Sequence, residues 1–182
     1  MKLYTLVDVL LFILVFVDLV LYYPEFLKGR VPSEFIIILV LITIGYFMAL
    51  NALNQRTKKI FERVSSRLGC KFTDLGFLTL KYRITCDDME IDGTLRSTYL
   101  PESLHIKFNG KFKDAIFRGK DRVSKEFTDK LAKLGIKYGV RINDAYLSST
   151  IGEILLTKIP GKEDNLVNLL NELRECFTEF KE

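Results

Sequence analysis

Residues 35–53, FIIILVLITIGYFMALNAL, run for nineteen positions without a charge. As a helix rising about 1.5 Å per residue they reach ~28 Å, close to the ~30 Å of a bilayer's hydrocarbon core. The stretch predicts a membrane span, and Pro32 and Ser33 just ahead of it supply a turn and a helix N-cap.

Working toward the N-terminus, Leu3 to Tyr23 is a second apolar run, charged only at Asp8 and Asp18. It predicts another span of about 31 Å. A cleaved leader is disfavoured: Lys2 alone forms its basic region, the apolar part is long and holds acids, and Leu21, Tyr22 and Tyr23 stand where a leader has small residues. Tyr4, Tyr22 and Tyr23 instead suit the two interfaces. The expectation is a helical hairpin over 1–54, with spans at about 3–23 and 34–54 and residues 24–33 as a short external loop.

Asp8 and Asp18 are costly at membrane depth, and such groups mark ion paths or partner charges unless water and headgroups reach them. Each lies about 7.5 Å inside its end of the span by helical rise. The plainer expectation is two tolerated interfacial acids, Asp8 level with Asn51 and Asn54, Asp18 nearer Lys28 and Arg30.

Working toward the C-terminus, the charge changes abruptly. Residues 1–54 carry three basic and four acidic side chains; 55–71 carry Arg56, Lys58, Lys59, Arg63, Arg67 and Lys71 against Glu62 alone; 72–182 carry eighteen of each sign. The whole excess of the +4 chain lies beside the second span, which argues against a nucleic-acid binder and for the positive-inside bias of membrane proteins. It predicts an integral protein of the cell membrane with two spans, both termini and the following domain being cytoplasmic.

Leu50, Leu53, Ile60, Phe61, Val64 and Leu68 keep a three-four spacing until Gly69, which predicts an amphipathic helix over 55–69. Arg56, Lys58, Lys59, Arg63 and Arg67 on its polar side are candidates for juxtamembrane lipid contact.

Residues 70–182 predict a cytoplasmic α+β domain, an antiparallel sheet with helices on one face. Leu78, Leu80, Tyr82, Ile84 and Cys86 alternate with polar residues as in a half-buried strand. Asp87-Asp88 predicts a turn into a partner over Met89–Tyr99, and Leu104, Ile106 and Phe108 another strand. Asn109-Gly110 predicts a tight hairpin into Phe112, Ile116 and Phe117. Ser124 caps an expected helix ending at Gly135; strands follow over Ile136–Ile142 and Tyr146–Thr157, with Asn143-Asp144 as their turn. A helix over Glu163–Phe180 closes the chain on a stripe of Leu166, Leu169, Leu170, Leu173 and Phe177.

Chemistry is sparse. Cys70, Cys86 and Cys176 are far apart without a C-x-x-C spacing, which suggests small buried hydrophobes in a reducing compartment rather than a disulfide or a metal site. His105 is the single histidine and lies on the polar phase of its strand, so Ser-His, Cys-His and histidine-metal schemes have little to stand on. Neither phosphate-binding glycine loop is present, and no cofactor is expected. Asp88, Glu90, Asp92 and Gly93 imitate the start of a calcium loop, but Tyr99 stands where its last carboxylate belongs.

One binding candidate remains: Arg118, Lys120 and Arg122 approach the helix start at Ser124, an arrangement suited to an anionic small molecule or lipid headgroup. Residues 107–137 carry ten basic and four acidic groups, while 72–106 and 138–182 are each net −3. With no catalytic set in sight, the expected function is a membrane-anchored, non-enzymatic interaction protein. Its partners are the lipid bilayer and a protein or a second copy, as an accessory or scaffold subunit of a membrane complex.

Overall fold

The computed structural model describes residues 2–75, 80–97, 102–112, 115–117 and 125–181, and the chain forms two compact units, 1–56 and 57–182.

The first unit is a helical hairpin. Helix α1 (Lys2–Leu27) and the part of α2 (Ser33–Arg67) up to residue 56 run antiparallel, joined by a turn at Gly29, whose φ of 72° suits glycine. Tyr4, Asp8, Leu11, Val15, Asp18 and Tyr22 on α1, and Phe35, Leu39, Ile42, Tyr46, Ala49 and Leu53 on α2, are buried or half-buried, with Leu50 and Asn54 buried beside the last two. Those positions step by four and three residues, the spacing of a knobs-into-holes seam. Phe35 closes it edge-on against Tyr22 and Phe26, with ring centroids at 5.9 and 4.9 Å. Both helices are long and apolar enough to cross a membrane.

The second unit is α+β. After the last turns of α2 come β1 (Lys71–Asp74), β2 (Lys81–Thr85), β3 (Met89–Thr94), β4 (Ser103–Asn109), β5 (Ala115–Phe117), α3 (Lys125–Tyr138), β6 (Arg141–Leu147), β7 (Ile151–Lys158) and α4 (Glu163–Glu179). The strands form one antiparallel sheet in the order β1-β2-β3-β4-β7-β6-β5. Alternation puts Tyr82, Ile84, Ile91, Leu104, Ile106, Phe108, Ile154 and Leu156 on one buried face. The stripes of α3 (Phe127, Leu131, Leu134) and α4 (Leu166, Leu169, Leu170, Leu173, Phe177) share that core, as do Phe61 and Val64 of α2.

Gly69 ends α2 as expected. Its φ is 69°, its N–H donates to the Ser66 carbonyl and that of Cys70 to Ser65, the paired bonds of a Schellman stop.

The same motif corrects the end of α3, which was expected at Gly135 but falls at Gly139. An internal glycine costs a helix only about 1 kcal/mol, and Gly139 takes the left-handed conformation (φ 62°) with the Val140 N–H on the Gly135 carbonyl. The expected strand over Ile136–Ile142 therefore starts only at Arg141. Asn143-Asp144 is no turn but a register irregularity inside β6, and the chain reverses instead at Ser148, which exchanges hydrogen bonds with Ile151. Asn109-Gly110 ends β4 without making a hairpin, since β4 pairs with β7, and β5 with β6 across the far edge. Edge strand β1 carries too short a pattern to be anticipated. Residues 77–79 and 98–99 of the two expected strands lie outside the described residues.

Packing leaves one glycine no freedom. Gly93 is paired with Tyr82, and a β-carbon there would overlap the buried tyrosine ring. That ring lies between Phe61 and Phe72, with centroids at 4.6 and 5.8 Å. Gly93→Ala is expected to cost about 1–3 kcal/mol through overpacking, read as a lowered denaturation midpoint of the full chain; an unchanged midpoint would mean the ring can move aside.

The cysteine reading needs correction. Cys70 and Cys86 form a disulfide, with Cα atoms 4.6 Å apart. The pairing Lys71↔Thr85 joins the two residues just inside the loop that the bond closes, and no spacing rule could foresee a contact created by strand register. Cys176 is free and buried; burial pushes its thiol up to about 11, so it stays protonated and serves as core.

Candidate functional site

Within the hairpin the two acids have different surroundings. Tyr46 donates its hydroxyl to Asp8 at 3.2 Å, and Tyr4 donates to Asn54 at 2.8 Å. Asp18 is 3 % exposed, and neither carboxylate oxygen has a hydrogen-bond partner among the described residues. Lys28, expected near it, pairs with Glu25 at 2.6 Å. Asp18 lies on the seam of the hairpin, because the four-three spacing from Tyr4 carries it to that face. Replacing it with leucine removes an unsatisfied buried group, so Asp18→Leu is expected to strengthen helix pairing by about 1–3 kcal/mol. Thermal separation of the helices in detergent measures this, and weakening would show that the carboxyl holds a group from outside the hairpin.

The basic helix is largely occupied by the domain's own acids. Lys58, 5 % exposed, pairs with Asp74 of β1 at 2.6 Å. Arg63 reaches Glu163 at 3.2 Å and Arg67 reaches Asp164 at 2.6 Å. Glu163 and Asp164 form the first turn of α4, where negative charge already suits the helix dipole. Of the five proposed lipid contacts, Arg56 and Lys59 are the exposed ones outside these pairs.

Much of the charge on α3 is likewise spent on α4. Lys130 pairs with Glu179 and Glu126, and Lys137 with Glu172 at 2.6 Å. Lys137, then the Tyr138 hydroxyl, hold the Glu172 carboxyl below its usual range. Arg118, Lys120, Arg122 and Ser124 lie outside the described residues, so the anionic-ligand loop rests on sequence alone. Its test is loss of liposome or phosphoryl-ligand binding when the three cations become alanine.

The acidic run resembling a calcium loop is a strand whose carboxylates serve arginines. Arg83 bridges Asp92 at 2.7 and 3.1 Å and Glu90 at 3.4 Å, while Arg174 holds Asp88 at 2.7 Å. Among the described residues no group of three or more histidine, cysteine or acidic side chains could hold a metal ion.

The best-built chemical cluster is on the sheet face opposite the helices. His105 of β4, Glu153 and Leu155 of β7, and Asp144 and Tyr146 of β6 line a cleft of about 270 Å³. His105 Nε2 lies 3.1 Å from Glu153 Oε2. The interaction of its hydroxyl with the same carboxylate raises the pKa of Tyr146, with burial and the charges of Glu153 and Asp144 adding to the rise. Register produces the cluster: His105 is opposite Leu155, which is opposite Asp144, and Tyr146 is opposite Glu153. Reading His105 as a solvent-facing residue caught its face but missed its partners. The alternation of β4 and β7 placed each side chain on the polar phase, yet nothing local says that these two strands are neighbours.

Compared with protein-family models, with curated proteins and with solved structures, the chain matches none.

Proposed function

We propose that this chain is a membrane-anchored, non-enzymatic interaction protein. The hairpin is embedded in the cell membrane, and the α+β domain engages another protein, as an accessory or scaffold subunit of a membrane complex. One observation supports this above others. Among the described residues, the large apolar side chains left exposed lie between Leu3 and Met48, apart from Leu75, Ile136 and Tyr146. Phe12, Leu21 and Met48 are each about two-thirds exposed or more. In water each such side chain forgoes roughly 1.5–3 kcal/mol of burial; in lipid the cost vanishes. A two-helix hairpin with an apolar outside and a polar-containing seam is suited to lipid.

Charge puts the domain and both termini on the cytoplasmic side, six cations in 55–71 against Lys28 and Arg30 in the loop. Pairing of Lys58, Arg63 and Arg67 with acids in the folded domain leaves that cue intact, because orientation is set as the chain inserts. The Cys70–Cys86 disulfide argues for the opposite side, since such bonds are rare in a reducing cytosol. We give precedence to charge, with a cytoplasmic disulfide held by a fold that partly buries both residues.

Two measurements test this reading. The protein should stay with membranes through alkaline wash and leave only with detergent, bringing a stoichiometric protein partner; a chain soluble without detergent, or extracted as a clean monomer, contradicts it. A C-terminal tag should be shielded from impermeant reagents in intact cells. Labelling of that tag would reverse the topology and put the disulfide in its ordinary oxidising environment.

A further inference from the structure

We propose that the cleft formed by His105, Asp144, Tyr146 and Glu153 binds a primary ammonium group on a short alkyl chain, presented as a lysine side chain of a protein partner. The inference rests on reading the chain as an interaction protein and names the chemistry of one contact.

Charge and shape both suit the cleft to an ammonium. Elsewhere on the open face each acid has a cation beside it, Arg83 between Asp92 and Glu90, and Lys107 opposite Glu90 in the register. Among the described residues the cleft lining holds two carboxylates, Asp144 and Glu153, and no lysine or arginine, with Lys107 opposite Glu153 in the register but outside the lining. Glu153 takes a hydrogen bond from His105, which orients it, and stands opposite Tyr146 in the register; Asp144 is exposed. An ammonium carries three donors and no acceptor, and the two carboxylates and the phenol oxygen that line the cleft offer acceptors for it. The exposed Tyr146 ring adds a face on which a cation is attracted. Leu155, half-buried on the cleft floor, suits the methylene stem, as apolar surface does wherever lysine lies along it.

Size points to a side chain rather than a whole ligand. About 270 Å³ falls just below the usual range of small-molecule pockets, roughly 300–1,000 Å³. A site this small on an open sheet face gives weak affinity alone and becomes useful as one anchor within a larger protein contact.

The chain's single histidine supplies the probe. Full-length protein in detergent micelles, labelled with carbon-13 at histidine Cε1, gives one ring signal from within the cleft. Titration with Nα-acetyl-lysine methylamide should shift that signal saturably, while the norleucine analogue, the same stem without the ammonium, leaves it still. Asp144→Asn and Glu153→Gln, isosteric and on the solvent face, should each weaken binding roughly tenfold or more. No saturable shift, an equal shift with norleucine, or unchanged binding in both variants overturns the assignment. So does tighter binding of the arginine analogue. A lysine peptide binding more tightly than n-butylammonium supports a protein source, and equal affinity rejects it. The wild-type comparison of lysine with norleucine decides even if a variant fails to fold. A silent cleft in a chain that still fractionates with membranes sinks this assignment alone.

Discussion

Phe177→Ala is expected to lower the stability of the second unit by about 3–5 kcal/mol, the usual cost of truncating a fully buried phenylalanine. The ring is completely buried and stacks on Phe108, with centroids 4.2 Å apart. Phe112 and Phe127 meet it edge-on at 6.3 and 5.4 Å. Beneath it Gly152 leaves the room it occupies, since a β-carbon there would come within 2.6 Å of the ring. One side chain thus joins α4 to the sheet and to α3, and its loss leaves a cavity that three other rings cannot all close. Against a typical domain stability of about 5–15 kcal/mol, that is a large share. Denaturant titration of the full chain in detergent, followed by circular dichroism, measures it. Phe177→Leu keeps more of the volume and should cost less; an alanine penalty below about 1 kcal/mol would mean the ring is not central to the core.

Removing the disulfide comes next in size. Cys70 and Cys86 are separated by 16 positions, and closing a loop of that length removes enough freedom from the unfolded chain to stabilise the fold by about 3 kcal/mol in the chain-entropy picture. Cys70→Ala with Cys86→Ala should show that loss as a lower midpoint, and reductant should lower the wild-type midpoint by a similar amount while leaving the variant unchanged. The closed loop contains edge strand β1, whose four residues pair on one side with β2. Backbone amides of Lys71–Asp74 should therefore exchange faster once the bond is gone. Equal midpoints with and without reductant would show that the bond contributes nothing or does not form.

Some of this was readable along the chain because the physics involved is local. The charge-free run 35–53, the Gly69 stop and the stripe of α4 each depend on neighbours three or four residues away, and each was found where expected. The alternation through Tyr82 and Ile84, and through Leu104, Ile106 and Phe108, likewise identified a buried face. Errors arose where a local signal had more than one outcome. Gly135 could stop a helix or ride inside it, and the positive φ available at Gly139 decided between them. Asn109-Gly110 had the chemistry of a tight hairpin, but β7 outcompeted β5 for the edge of β4 because it offers a longer strand whose Ile154 and Leu156 complete the core face.

The site was the least legible part. Lys58, Arg63 and Arg67 lie on the polar side of a stretch whose one acid is Glu62, a pattern that points toward lipid; Asp74, Glu163 and Asp164 arrive only when the chain folds back. Glu153, Tyr146 and Asp144 carry no motif and join His105 only through the order of strands.

By itself the sequence determined what each segment would tolerate as solvent and which period its backbone would follow, since hydrophobicity and spacing are properties of neighbours along the chain. Which acid meets which cation, which cysteine finds which, and which four polar side chains line one cleft were decided only by tertiary structure. Those contacts join positions well beyond the three or four residues that a local pattern spans, and a change of strand neighbour rearranges them while leaving every local pattern unaltered.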